Sequence, residues 1–453
     1  MSVFLALVLA VMTPETRPVL RRVAVPAAAL FAVAAFGWLQ SLPWPEDLVG
    51  LLSPGHGELW GSLPAGEASP RLSVAPEVSR RAALSWAAVA AALMAGAVAG
   101  RRREARRWLG GAVVVAALFQ VVYGAPRWLA NADTIWGLAV PGMRHRLRGT
   151  FVNPDHLATF LGLALAVVFA WVWWAFLHAR TTPEVERRVL LLAPPVLIWL
   201  TLFAALAFTG SRAGLAAALL GVTVQSLVLG RRGGRTTGLL LGGGAVAAGV
   251  AAVVWIGARE GFGRLLATSA YEITWSARLE TYRASFELWR RYWLTGSGLG
   301  TFRDAFPQVQ PQELPGLWRH AHSDYLELAV TTGLVGPVLL VVGLVFFVRG
   351  LPSGLSRRRR SEDRGAVLAA VGALVTAGAH ELLDFGLTMP ANAVTLAVLA
   401  GAALAVSAPR PSSSKSASPR LSRQGSGASS AWGRSEEDFA GGHRAGGEGH
   451  HLQ

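Results

Sequence analysis

Of the chain's 453 residues, 52% are hydrophobic and only 15% charged, and the apolar residues run in long unbroken blocks instead of at the intervals of a soluble amphipathic helix. This excludes an ordinary soluble domain and predicts an integral membrane protein. The 42 Lys and Arg outnumber the 27 Asp and Glu, for a formal net charge of +15, but they gather in short clusters between the apolar blocks, which argues against a nucleic-acid surface. Cysteine is absent, which excludes disulfides, thiolate ligands and a cysteine nucleophile.

About 20 apolar residues are needed for a helix to cross the hydrocarbon core with its backbone groups satisfied internally. The opening Met1–Met12 is too short and reads as a truncated first helix or an interfacial piece. It lacks the basic start and small-residue cleavage site of a removed signal peptide. Spans are predicted at 23–41, 82–100, 109–125, 155–178, 189–208, 213–230, 237–257, 327–349, 365–383 and 392–408. The expected fold is an all-α polytopic membrane helix bundle of about ten to eleven transmembrane helices. Basic clusters at Arg101–Arg107, Arg231–Arg235 and Arg357–Arg360 fall in alternate connections, which the positive-inside rule assigns to the cytoplasm. The 42–80 and 126–154 loops, the turn at Thr209–Arg212, the 258–326 region and the turn at Asp384–Pro390 then face the other side. Trp171, Trp173, Trp174 and Trp199 read as an aromatic belt. From about Ser407 the chain turns to Ser, Gly, Arg and Pro, a composition that cannot bury enough apolar surface to fold. The expected organisation is a short apolar segment with a basic loop (1–22), a membrane core (23–408) and a disordered cytoplasmic tail (409–453), whose His443, His450 and His451 read as solvated.

Four polar clusters fall on the predicted non-cytoplasmic side. In Arg148–His156, Asn153-Pro154-Asp155 reads as a helix start capped by Asn153 or Asp155, with His156 in the first turn and open to substrate. In Thr209–Gly214, Arg212 opens a helix whose dipole opposes its charge; a phosphate-like anion would resolve the conflict. In Trp275–Arg291, Leu279, Tyr282, Phe286 and Trp289 have helical spacing and predict an amphipathic helix on the membrane or the bundle, with Arg278 among its cations. The glycine-rich run Gly296–Gly300 follows. In His320–Tyr325, either imidazole suits proton transfer near neutral pH, and Asp324 and Tyr325 are candidate substrate contacts.

Taken in order, Phe151–Ala158, Gly210–Gly214, Arg278 with Gly296–Phe302, His320–Leu328 and His380–Ala393 resemble successive signatures of the O-antigen ligase superfamily. The resemblance covers about 150–405. It implies transfer of a glycan from a polyprenyl diphosphate to an acceptor hydroxyl at the periplasmic face of the bacterial inner membrane, the acceptor being lipid A core, another glycan or a protein. On this reading His322, at the position directly before Asp-Tyr-Leu, is the base, and Arg278 and Arg212 stabilise the departing diphosphate. His320, Asn153, His156, Tyr325 and Asp324 contact substrate; His320 is the rival base. Inversion is expected, and neither metal nor cofactor is required. The chain departs from the family in having Ser323 where Asn is frequent, and in lacking a proline before Gly296. The alternatives are a polymerase of the same superfamily, a polytopic transporter, against which the one-sided polar residues argue, and a non-enzymatic envelope scaffold, which leaves Arg212, Arg278 and His322 without a task.

Overall fold

The computed structural model describes residues 16–62, 69–140, 145–233, 275–356 and 359–409, with residues 242–244, 247 and 251. The expectations for Met1–Met12 and for tail residues 410–453 lie outside the described residues, as does the 237–257 span except at those five positions.

Three long helices share one start signal. Helices α4 (Pro76–Ala99), α6 (Pro154–Ala179) and α14 (Pro390–Ser407) each begin on a proline in the first turn, where no backbone N–H is needed. With α1 (Arg17–Gln40), α5 (Arg103–Leu129), α7 (Val185–Phe208) and α8 (Arg212–Gly233) they make seven helices long and apolar enough to cross a membrane among the described residues. Helix α12 (Val335–Gly350) is a shorter apolar helix, and α13 (Ser361–His380) begins with a charged turn. The chain is an all-α polytopic bundle.

The loops hold more structure than the sequence predicts. The 42–80 connection contains α2 (Glu46–Leu52) and α3 (Pro54–Gly61), and the 126–154 connection contains an antiparallel hairpin of β1 (Thr134–Ile135) and β2 (Leu138–Ala139). Helix α9 (Trp275–Arg291) forms as expected, but its buried face is Thr281, Ala284, Ser285 and Leu288, while Leu279 and Phe286 are exposed. Leu279 and Phe286 thus suit the membrane, while Trp289 packs on the bundle and Tyr282 is half-buried, so the helix uses both expected seats. After it come α10 (Phe302–Ala305) and a 3-10 turn at Phe306–Gln308.

The predicted span 327–349 is two helices. α11 (Asp324–Thr332) stops at Gly333, and α12 starts two residues later. Gly333 has φ +59, and a Cβ there would lie 2.3 Å from the Leu294 carbonyl. The helix breaks because the chain docks here on the 293–299 segment. Leu334 N–H donates to Trp293 O at 2.9 Å, and Ser297 and Gly298 donate to Val330 and Thr331. The buried Gln40 side chain ties α1 to both pieces by donating to Thr295 O and Thr331 O. Hydropathy registers only the apolar run and misses this interruption.

Helix α6 is the most buried span and packs against α7, α8 and α13. One core joins residues of α5, α6, α7, α8 and α13; another joins α1, α4, α12, α13 and α14. Helix α13 serves both, with Leu368 and Ala369 in the first and Val367 and Ala370 in the second. A Cβ on Gly372 would meet the Gln225 amide at 2.2 Å, so only glycine admits that amide, which donates to Ala166 O and Leu368 O and locks α8 to α6 and α13. A smaller cluster of Leu288, Tyr292, Phe302, Phe306, Ala321 and Val330 fixes the 275–330 region. These packings bring the His380 end of α13 against the first turns of α6, α8 and α14.

Candidate functional site

The site grows from helix ends. Asn153 caps α6, its side chain accepting from Asp155 N–H at 2.9 Å, which leaves the Asp155 carboxylate to receive Arg146 at 2.7 Å. The Arg146 Nε also donates to Thr209 O, joining α6 to the turn before α8. In that turn Gly210 takes φ +71, and the Ser211 hydroxyl accepts from Gly214 N–H while lying 3.3 Å from His380 Nε2. The other His380 nitrogen is 2.8 Å from the Thr159 hydroxyl on α6, and Asp384 Oδ2 is 3.6 Å from Nε2. Asn392 at the start of α14 donates to both His156 O and Gly386 O. Three helix starts are thus clamped to the 380–388 turn.

At the open side of this clamp Phe385 is surrounded by three imidazoles. His320 stacks on it at 4.1 Å and 14°, while His322 and His156 meet it edge-on at 5.0 and 4.7 Å. His320 Nδ1 is 3.2 Å from both Glu327 oxygens, and Glu327 also accepts from Ala321 N–H. Among the described residues, the buried His156 Nε2 has no hydrogen-bond partner.

His322 adopts φ +56, a left-handed backbone that a non-glycine residue holds only when its surroundings impose it. They do so from both sides. Tyr282 on α9 donates its hydroxyl to His322 O at 2.9 Å, while Asp324 N–H is shared by Glu381 O and Asp384 O, and the Ser323 hydroxyl donates to Glu381 O. Arg278, one helical turn before Tyr282, donates to Leu383 O at 2.7 Å. Burial and then the Arg278 charge lower His322 from its ordinary value to about 3, so its imidazole is neutral and ready to accept a proton. Burial, reinforced by the Glu327 charge, raises Asp324 to about 7, and burial with the Asp155 charge raises Asp384 to about 8. The arrangement therefore offers a neutral base beside a guanidinium, backed by carboxyl groups that hold their protons near neutrality.

Of the sequence-predicted residues, the structure brings together His322, Arg278, His320, His156 and Asp324. Asn153 is a helix cap, and Tyr325 is an exposed ring whose hydroxyl donates to Gly378 O. Arg212 opens α8 with an exposed side chain; its neighbour Ser211 is the residue that reaches His380. Sequence reasoning gave no role to Phe385, Glu327, His380, Glu381 and Asp384, although they lie within two of the family signatures, and it missed the Arg146–Asp155 pair. A signal existed for some of them, because Glu327, His380 and Glu381 are ionisable residues inside predicted apolar spans. Among the described residues, no three His, Asp or Glu side chains are grouped to hold a metal ion.

Residues 196–341 match the family described as O-antigen ligase. The match runs from within α7 to within α12 and takes in Arg212, Arg278, His320, His322 and Glu327, while His156, His380 and Phe385 lie outside it. No curated protein matches the chain. The multi-pass architecture, the ordered polar clusters and the matched segment all point the same way: residues 196–341 of this helical bundle are similar to the O-antigen ligase family.

Proposed function

We propose that the protein transfers a glycan from a polyprenyl-diphosphate carrier to an acceptor hydroxyl, in the manner of an O-antigen ligase, at the periplasmic face of the inner membrane. A ring nitrogen of His322 takes the hydroxyl proton as the acceptor oxygen attacks the anomeric carbon. The bond from that carbon to the diphosphate oxygen breaks, and its electron pair leaves with the polyprenyl diphosphate, so the anomeric configuration inverts. Arg278, with Arg212 from the start of α8, stabilises the charge on the departing phosphates. His156 and Asp324 line the acceptor side.

The observation that carries this reading is the placement of Arg278 beside His322. The guanidinium is held by a backbone carbonyl, not by a carboxylate, so its charge stays available to a diphosphate. Burial, and after it that same charge, disfavour the protonated imidazole in the absence of an anion. A second reading makes His320 the base, favoured by the Glu327 carboxylate that receives its Nδ1.

Glycan transfer measured in proteoliposomes with a polyprenyl-diphosphate donor tests the assignment. His322→Ala, Arg278→Ala and Arg212→Ala should all lower activity with normal membrane insertion; full activity in all three removes it. A lipid A core acceptor labelled in this assay marks a ligase, whereas extension of one glycan by another marks a polymerase. A periplasm-dependent reporter fused within 303–315 should be active, and cytoplasmic readout there overturns the sidedness.

A further inference from the structure

The hairpin β1–β2 and the end of α5 flank a narrow, open notch lined by Arg127, Arg146 and Arg148 with Trp128, Thr134 and Gly149. Three guanidiniums in one small cleft repel one another, and the carboxylates offset this only in part. Arg146 pairs with Asp155 at 2.7 Å. The Asp133 charge favours the Arg148 cation, and the Arg127 charge opposes it. The hydrogen bonds described for Arg127 run to Thr134 O and the Thr134 hydroxyl, and those for Arg148 to Val140 O and Ala132 O, all neutral oxygens. Each guanidinium has five N–H donors in a planar fork, and these contacts commit two of them. Arg148 is nonetheless 6% exposed, a costly place for a cation that no carboxylate hydrogen-bonds among the described residues.

The surroundings indicate what would offset that cost. Trp136 and Leu138 at the hairpin tip are 65% and 72% exposed, and the Trp136 ring packs on Tyr123 of α5 at 4.6 Å. Tyr123 in turn lies under the Arg127 guanidinium and accepts from Trp136 N–H. Along the same helix Val115, Phe119 and Val122 are exposed, as suits a lipid-facing stripe. The notch therefore opens where an apolar helix surface ends in Trp and Tyr, the level of lipid headgroups.

We propose that this notch seats the phosphate of an anionic membrane lipid, with Arg127 and Arg148 donating to its oxygens and Trp136 and Leu138 lying against its acyl chains. The site is separate from the reacting groups around Phe385, and the inference does not depend on the transfer reaction. It is connected to them structurally, because Arg146 reaches from the notch to Asp155 and Thr209.

Native mass spectrometry of the full chain, titrated with phosphatidylglycerol, phosphatidylcholine or inorganic phosphate, tests this. One copy of phosphatidylglycerol should be retained in preference to phosphatidylcholine, and Arg127→Gln should weaken it about ten-fold, the loss expected for removing charge-assisted hydrogen bonds. Arg290→Gln, on the exposed face of α9, should leave it unchanged. Equal retention in wild type and Arg127→Gln overturns the proposal, as does displacement of the lipid by millimolar inorganic phosphate, which marks a free-anion site. If Arg127→Gln fails to insert, the wild type still decides. A photoactivatable phosphatidylglycerol should crosslink to peptides spanning 124–149, and crosslinking confined to other spans overturns the assignment.

Discussion

At the Ser361 end of α13, Arg106 meets Asp363, and Arg103 and Arg107 share Glu362. At the His380 end, about 30 Å away by helical rise, stand the same kinds of side chain in a different economy. Arg278 there hydrogen-bonds a backbone carbonyl, His322 is kept uncharged, and Asp324 and Asp384 hold protons near neutrality. These five charges are answered by their opposites within the fold. The second end leaves a cation and a proton acceptor side by side, unfavourable in the resting protein and satisfied by an anion with a hydroxyl to deprotonate. On the proposed function, the difference separates ion pairs that build the bundle from groups that meet a substrate.

Substitutions at the two ends should therefore fail in opposite ways. His322→Ala is expected to lower transfer by roughly 10²- to 10⁴-fold and Arg278→Ala by roughly 10²- to 10³-fold, both with an unchanged melting temperature in detergent. Arg106→Ala removes one partner of the Asp363 carboxylate, the two side chains being 11% and 9% exposed, and should cost up to about 3 kcal/mol of stability. Transfer per folded molecule should stay within about two-fold of wild type, since the sites are far apart. A fall in per-molecule activity for Arg106→Ala would erase the distinction between the two ends. Glu327→Gln sharpens it within the active end. It should cost only a few-fold if His322 is the base, and about as much as His320→Ala if His320 is.

The pH dependence of transfer probes the same end. With His322 near 3 in the empty site, the acid limb of kcat/KM, which reports the free enzyme, should lie well below pH 6. A bound diphosphate offsets the Arg278 charge and favours imidazolium, so the acid limb of kcat should sit at least about one unit higher. Coincident limbs would take the diphosphate away from Arg278.

Much of this was legible in the sequence, for identifiable reasons. Continuous apolar runs mark spans whatever packs against them, so nine of the ten predicted spans lie on described helices. The polar clusters with His322, Arg278, His320, His156 and Asp324 stood out because ionisable residues beside such runs are rare. The break at Gly333 was invisible because it arises from docking on residues 293–299, a tertiary contact without local signature. Phe385 was missed because a lone phenylalanine in a turn looks like packing; only the fold shows three imidazoles converging on it. Which surface α9 faces was left open for a related reason, since helical spacing identifies a stripe but not whether lipid or protein covers it.

A smaller effect concerns stability at the active end. Asp384 titrates near 8 in the folded protein against an ordinary value near 4, so the fold holds its proton more tightly than the unfolded chain does. The stability it contributes is present below about pH 4 and is lost as pH rises through 8, by up to about 1.4 kcal/mol per pH unit. Asp384→Asn stays neutral throughout and should lessen the decline in melting temperature between pH 6 and 8. An equally steep decline in the variant would place the proton elsewhere in the cluster.

The smallest structural effect is expected at Arg212, where function and stability should separate most cleanly. Its charge opposes the α8 dipole and its side chain is exposed, so Arg212→Ala should move stability by no more than about 1 kcal/mol. Transfer should still fall about ten-fold, chiefly through a higher KM for the donor, because one of two cations facing the diphosphate is lost. Arg212→Lys keeps the charge but not the fork and should recover only part of that loss. A variant whose KM does not move, while Arg278→Ala remains inactive, would leave Arg278 as the sole cation acting on the diphosphate and reduce Arg212 to a residue at the membrane surface.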